Sequence, residues 1–105
     1  MKKSVTIVLD KSRELRFGTN ALITVEELLG ISISKLDINT VGLKTLRILL
    51  YAGLKHEDES LTLEETGCLI DAVPDYKEIG EKIGEAIILA FGKGEPTAQK
   101  KMIKK

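Results

Sequence analysis

Three short stretches of the chain contain side chains that could do chemistry. Residues 56–59 read HEDE and offer one imidazole and three carboxylates, which are ligands that divalent cations take. Cys68 is the single cysteine and therefore the single candidate thiol nucleophile. Residues 92–94 read GKG, which brings a cation and two flexible positions together as phosphate-binding loops do.

Each stretch falls short of a complete site. One imidazole among consecutive loop acids is a weak ligand set, so we predict a solvated loop at residues 56–59. Cys68 projects toward Glu64 and Asp71 on one side of a predicted helix, and carboxylates disfavour the thiolate. The GKG run lacks the spacing of a phosphate-binding loop and follows a predicted helix. We therefore predict a protein that is not an enzyme and has no metal and no cofactor.

The composition indicates one globular domain. The chain has 105 residues, 16 basic and 16 acidic side chains and 43% hydrophobic residues, and domains cluster near 100–150 residues. One cysteine excludes an intramolecular disulfide and a zinc site built from several thiolates. No apolar run approaches the ~20 residues that cross a bilayer, and the apolar stretch after Lys3 is too short for a signal peptide. We expect a reducing cytoplasm and no membrane partner.

The zero net charge conceals three differently charged segments. Residues 1–56 carry nine basic and five acidic side chains, residues 57–85 two basic and ten acidic, and residues 86–105 five basic and one acidic. General binding to nucleic acid depends on contacts between cationic side chains and phosphates. The strongly acidic middle segment therefore disfavours it. The cationic ends could meet the acidic middles of neighbouring copies, or all three segments are ordinary solvated surfaces.

The start of the chain predicts a β-hairpin. Residues 4–9 alternate and are rich in β-branched side chains, residues 10–12 supply turn chemistry, and residues 14–17 return. Two strands are marginally stable by themselves, so the hairpin must lie on the helices that follow. Val5, Ile7 and Leu9 are predicted to lie on one side of the first strand and Thr6 and Val8 on the other, and Leu15 and Phe17 share one face of the second.

Four helices follow in the prediction, over about residues 19–29, 40–55, 62–73 and 75–91. Thr19 and Asn20 are predicted caps of the first, which ends at Gly30; Thr24 with Glu27 offers a later start. The third begins with a capping box at residues 62–65 and stops before Pro74. The fold class is therefore α+β and mostly helical, with an N-terminal β-hairpin packed on a small bundle of about four helices.

Several apolar side chains fall outside the predicted buried faces. On the second helix, residues 43, 46, 49, 50, 53 and 54 share one arc, whereas Ile48 and Tyr51 lie among cations. Those two residues either pack under the hairpin or form an exposed contact site. The residues that we predict to bind a partner are Ile48 and Tyr51 on the second helix and Ile88 and Leu89 on the last; burial or a homo-oligomer interface is the alternative.

Gly80 and Gly84 are four residues apart beside the apolar stripe of the last helix. Because glycine weakens a helix, we predict that they permit the close approach of another helix, from the same chain or from another copy. We place one domain at residues 1–92 and a basic, flexible tail at residues 93–105.

The order of several short motifs resembles a known family. Residues 46–58 read LRILLYAGLKHED, and residues 61–71 read LTLEETGCLID. Upstream, residues 17–22 read FGTNAL and residues 26–32 read EELLGIS. Over about residues 5–92 this order resembles the tail assembly chaperones of long-tailed bacteriophages and prophages, including relatives encoded in gene transfer agents.

The resemblance implies a factor that works in the host bacterial cytoplasm and is not retained in the mature virion. Proteins of that family are thought to coat the tape measure protein, keep it soluble and help to recruit tail-tube subunits during tail morphogenesis. The partners implied are thus the tape measure protein, the tail-tube protein and further copies of the same chain, with no nucleic acid.

Two other functions stay open at this point. A small phage-encoded DNA-binding regulator would use the cations of the second helix, Lys44, Arg47 and Lys55. A structural head–tail or tail-completion protein would instead be found in purified virions.

Overall fold

The chain folds as a two-stranded antiparallel hairpin followed by four α-helices, which confirms the predicted fold class. The computed structural model describes residues 4–37 and 42–90. The elements are β1 (Val5–Val8), β2 (Ser12–Leu15), α1 (Thr19–Leu29), a 3₁₀ turn (Ile33–Lys35), α2 (Leu43–Leu54), α3 (Leu63–Asp71) and α4 (Tyr76–Ala90). The proposed start of α2 at Thr40, the end of α4 at Phe91 and the basic tail lie outside the described residues.

The residues predicted to share one side of each strand form the inner face of the hairpin. Val5 pairs with Leu15 and Ile7 with Arg13, so all four point to the helices. Ile7, Leu15 and the following Phe17 are buried, because alternate residues of a strand share one side. The outer face is polar at Glu14, whose carboxylate oxygens accept hydrogen bonds from Ser4 Oγ and Thr6 Oγ1, each at 2.9 Å.

An ion pair closes the hairpin loop. Arg13 Nε donates to Asp10 Oδ1 at 2.8 Å and Arg13 Nη2 to Asp10 Oδ2 at 3.0 Å. The hydrogen bond from Arg13 lowers the pKa of Asp10, and the same bond raises the pKa of Arg13. Glu57 and Asp58 also raise the pKa of Arg13 by their charge, so the acidic loop lies near this buried cation.

The central helix α2 is the element on which the others pack. It contacts α1, α3, α4 and β2. Its close contact with the hairpin is at Gly53, where an added Cβ would lie 2.8 Å from Leu15 Cδ2 and 3.0 Å from Phe17 Cζ. Beside this point, the Arg16 N–H donates to the Gly53 carbonyl at 3.0 Å. Glycine therefore lets β2 lie directly on α2.

The helix ends agree with the capping predictions in two of three places. Thr62 and Glu65 form the predicted capping box, each side chain accepting a backbone N–H at 3.1 Å. Gly30 ends α1 in the left-handed region, with φ +75°. The helix α1 begins at Thr19 as predicted, but the predicted caps Thr19 and Asn20 were wrong, because Gly18 is the N-cap residue and no side chain caps the helix. The buried Phe17 fixes the chain immediately before this helix, so the helix begins there and Thr24 lies within it.

Candidate functional site

An open groove lies between α2, α3 and the start of α4. It encloses about 450 Å³, a volume within the range of ligand-binding clefts. The lining residues are Leu43, Lys44 and Arg47 from α2, Glu64, Gly67, Cys68, Ile70 and Asp71 from α3, and Tyr76 from α4. This surface, which we call the α2–α3 groove, was not predicted as a unit from the sequence.

Two large apolar side chains line the groove and face solvent. Leu43 is 57% exposed and Tyr76 is 49% exposed, whereas Ile70 is buried. The prediction that Leu43 shares the buried arc of α2 was therefore wrong, and Tyr76 is exposed in the same way. Each is the first residue of its helix, and the spacing of apolar residues does not reveal whether a neighbouring element reaches the first turn. Apolar side chains exposed together in a cleft are typical of protein-binding surfaces.

Opposite charges line the two long sides of the groove. Lys44 and Arg47 are three residues apart on α2, and Glu64 and Asp71 are seven apart on α3, so each pair shares one face of its helix. Among residues 4–37 and 42–90, none of these four side chains forms an ion pair. The groove is thus cationic along α2 and anionic along α3.

The Arg47 side chain extends from α2 onto the surface of α3. Its Cδ would lie 3.5 Å from a Cβ added at Gly67, so its aliphatic part packs on α3. Its Nε is buried and has no hydrogen-bond acceptor in the described part of the chain. A buried donor without an acceptor costs about 1–3 kcal/mol. Arg47 therefore carries a donor that the described residues leave without an acceptor.

Cys68 is exposed in the same groove. As predicted from the helical spacing, it lies on the face of α3 that carries Glu64 and Asp71. The thiol thus provides a natural attachment point for a probe within the groove.

The four predicted partner-binding residues do not lie on one surface. Ile48 is 3% exposed and belongs to the core, and Tyr51 is half-buried with Lys55 Nζ 5.3 Å from the centre of its ring. For Ile48 the structure thus supports burial, and its proposal as an exposed contact was wrong. The physical reason is that α2 is covered on several sides, so more than one arc of it is buried.

Ile88 and Leu89 remain accessible on the last turns of α4. They are 41% and 36% exposed. At 1.5 Å per residue they lie about 18 Å along the helix from Tyr76. They therefore form a second, separate apolar surface, and the structure does not bring them to the α2–α3 groove.

Gly80 of α4 does not make the close helix contact that was predicted for it. A Cβ added at Gly80 would meet no atom within 4 Å. No helix in the described ranges therefore crosses closely at Gly80, because this position lies at the rim of the α4 face whose Ile79 and Ile83 fill the core. Close approach of a helix at Gly84, from the same chain or another copy, and of a second copy at Gly80 stay predictions.

The loop after α2 holds the hairpin. His56 Nε2 donates to the Glu14 carbonyl at 2.8 Å, and the Glu14 N–H donates to Glu57 Oε1 at 3.3 Å. Asp58 Oδ1 accepts from Ser60 Oγ at 2.8 Å. Across residues 4–37 and 42–90, no cluster of three or more histidine, cysteine or acidic side chains has the arrangement of a metal site. The hydrogen bonds of His56 and Glu57 join the loop to the hairpin, and that of Asp58 lies within the loop.

A smaller groove of about 260 Å³ lies between β1 and α4. Thr6, Ile7 and Val8 line one side, and Ile79 and Lys82 are among the residues of the other. Val8 is 68% exposed there. This groove has no set of opposed charged walls like those of the α2–α3 groove.

Comparisons with protein-family models, with curated proteins and with solved structures found no match for this chain. Within the described ranges, none of the helices combines the length and the apolar character needed to span a bilayer.

Proposed function

We propose that this protein is a phage tail assembly chaperone that uses the α2–α3 groove to bind a helical segment of the tape measure protein. The observation that carries the proposal is the exposure of Leu43 and Tyr76 in one groove between three helices. The motif order described above, over about residues 5–92, favours the same function. In this proposal the protein acts in the host bacterial cytoplasm, is not an enzyme, helps to recruit tail-tube subunits and is absent from the mature virion.

The energetics of an open groove fit a chaperone that binds a long client at many places. Burial of apolar surface contributes about 25 cal/mol per Å², so the few side chains of one groove provide weak binding. Several copies along one client would cover its apolar surface while each contact stays reversible. Ile88 and Leu89 offer a second surface for a neighbouring copy or for the client.

The groove favours a protein partner over DNA. Lys44 and Arg47 could contact phosphates, but Glu64 and Asp71 form the opposite side and would repel them. A helix with apolar and charged side chains suits both sides of the groove. The regulator hypothesis is therefore the weaker one.

Co-expression with the tape measure protein encoded nearby tests this function. We expect the wild-type chain to keep that client soluble and to elute with it from a sizing column. The double variant Leu43→Ser/Tyr76→Ser should lose most of the soluble client while its helicity stays normal, because both side chains are exposed. Val8→Ser/Ile23→Ser is the matched control, since these side chains are 68% and 45% exposed elsewhere on the surface.

Two results would contradict the proposal. One is an insoluble client and no complex in the presence of the wild-type chain. The other is the chain itself in purified virions, which would indicate a structural tail-completion protein. Equal loss of client with the groove variant and with the control variant would remove the groove from the proposal.

A further inference from the structure

We infer that the α2–α3 groove binds an amphipathic helix whose apolar stripe is flanked by carboxylates on one side and by cations on the other, and that the groove thereby fixes the direction in which the helix lies. This inference rests on the proposed function and adds the charge pattern of the bound segment. The juxtaposition that supports it is the cationic side formed by Lys44 and Arg47 opposite the anionic side formed by Glu64 and Asp71.

The apolar part of the groove sets where the stripe of the partner helix lies. Leu43 and Tyr76 are exposed, and Ile70 lies at the floor. Glu64 and Asp71 are separated by about 10 Å along α3, which corresponds to two turns of a helix placed beside it. Two successive turns of a partner helix can therefore place side chains against both acidic residues.

The charges on the two sides are available for a partner. In residues 4–37 and 42–90 the four side chains form no ion pairs. Arginine binds carboxylates through a planar fork of donors, so a glutamate or aspartate on the α2 side of a partner helix would be attracted by Lys44 and by the Nη groups of Arg47, which are not among the buried unpaired atoms. Lysine or arginine on the α3 side would be attracted by Glu64 and Asp71.

The pattern fixes direction because reversing a helix in a groove exchanges its two flanks. With the apolar stripe held against the floor, only one direction places the carboxylates beside α2 and the cations beside α3. The opposite direction brings like charges together on both sides, which disfavours it. A tape measure bound by many copies would in this way meet every copy with the same polarity.

Designed peptides of one composition provide the test. The first is an 18-residue amphipathic helix with a leucine stripe, glutamates on one flank and lysines on the other. The second has the two flanks exchanged. The third, the matched control, has the same residues with glutamate and lysine mixed on both flanks. Affinity is measured by fluorescence anisotropy of the labelled peptides with the full chain.

We expect both segregated peptides to bind about tenfold more tightly than the mixed one, the size of effect that a few half-exposed ion pairs give. A spin label at the peptide N-terminus should broaden amide signals near Glu64 for one segregated peptide and near Asp71 for the other. Reversing the protein charges at residues 44, 47, 64 and 71 together should exchange these two directions.

Equal affinities for segregated and mixed peptides, absence of binding, or one direction for both segregated peptides would overturn the inference. None of these results depends on the tape measure experiment. A wild-type chain that keeps the client soluble but does not distinguish the peptides would refute the charge pattern alone, whereas failure of the co-expression would refute the proposed function.

Discussion

Substitution of Gly53 by alanine tests how tightly the hairpin lies on α2. An added Cβ at this position would be 2.8 Å from Leu15 Cδ2 and 3.0 and 3.2 Å from two carbons of the Phe17 ring. Distances below 3.0 Å require a shift of the neighbouring atoms. Leu15 is 0% and Phe17 is 3% exposed, so neither side chain can move without disturbing the core around it.

The expected loss follows from two opposing contributions. Overpacking of a well-filled core costs about 1–3 kcal/mol. Replacing glycine by alanine within a helix contributes up to about 1 kcal/mol in the other direction. The two contributions together span a loss of about 0–3 kcal/mol. We expect Gly53→Ala to fall in the middle of this range, at about 1–2 kcal/mol, which corresponds to a fall in Tm of roughly 4–16 °C for a domain of this size.

Gly80→Ala is the matched control, because it makes the same chemical change in another helix. A Cβ at Gly80 meets no atom within 4 Å, so only the gain in helix propensity remains, and Tm should rise by a few degrees. Urea unfolding followed by circular dichroism measures both variants. A Gly53→Ala protein as stable as Gly80→Ala would refute the close packing of β2 on α2.

Three further predictions concern the hairpin loop, the capping box and the corrected site residues. Asp10→Asn should destabilise the protein at pH 7. Because the folded pKa of Asp10 is lowered, the carboxylate contributes to the free energy of unfolding above about pH 4, and this contribution is lost as the pH falls through the folded pKa. Urea melts of the variant and the wild type should therefore converge at low pH. Thr62→Ala should cost about 1 kcal/mol of unfolding free energy, measured by the same melts, because one end of the capping box is removed; an unchanged midpoint would contradict this. Ile48→Ser should unfold or strongly destabilise the chain, whereas Ile88→Ser should leave Tm within about 2 °C of the wild-type value. The reason is that only the Ile48 side chain is buried. Equal shifts of Tm in the two variants would show that their burial is misassigned.

Local signals in the sequence were sufficient for the elements and most of their ends. Alternation from Val5 to Leu9 predicted which residues of the strand share a side, and the Thr62 capping box and Gly30 predicted two helix ends. These signals depend on interactions within a few residues, so they can be read without the fold.

The groove could not be predicted in the same way, because it depends on where elements stop covering one another. Leu43 and Ile48 show this in opposite directions. Periodicity placed Leu43 in the buried arc of α2 and Ile48 outside it, whereas the structure exposes the first and buries the second. The spacing of apolar residues gives the faces of an isolated helix, but the burial of α2 also depends on the hairpin and on α1, α3 and α4.

Two hydrogen bonds connect the returning part of the hairpin to the end of α2 and the loop after it, about 40 residues away along the chain. The Arg16 N–H donates a hydrogen bond to the Gly53 carbonyl, and the Glu14 N–H donates one to the Glu57 carboxylate. Neither of these hydrogen bonds belongs to the ladder between the two strands. Hydrogen exchange at the Arg16 amide therefore reports the docking of the hairpin on α2 and not the formation of the hairpin. Protection there should vanish together with protection in the last turn of α2, which would mark the hairpin and the central helix as one cooperative folding unit.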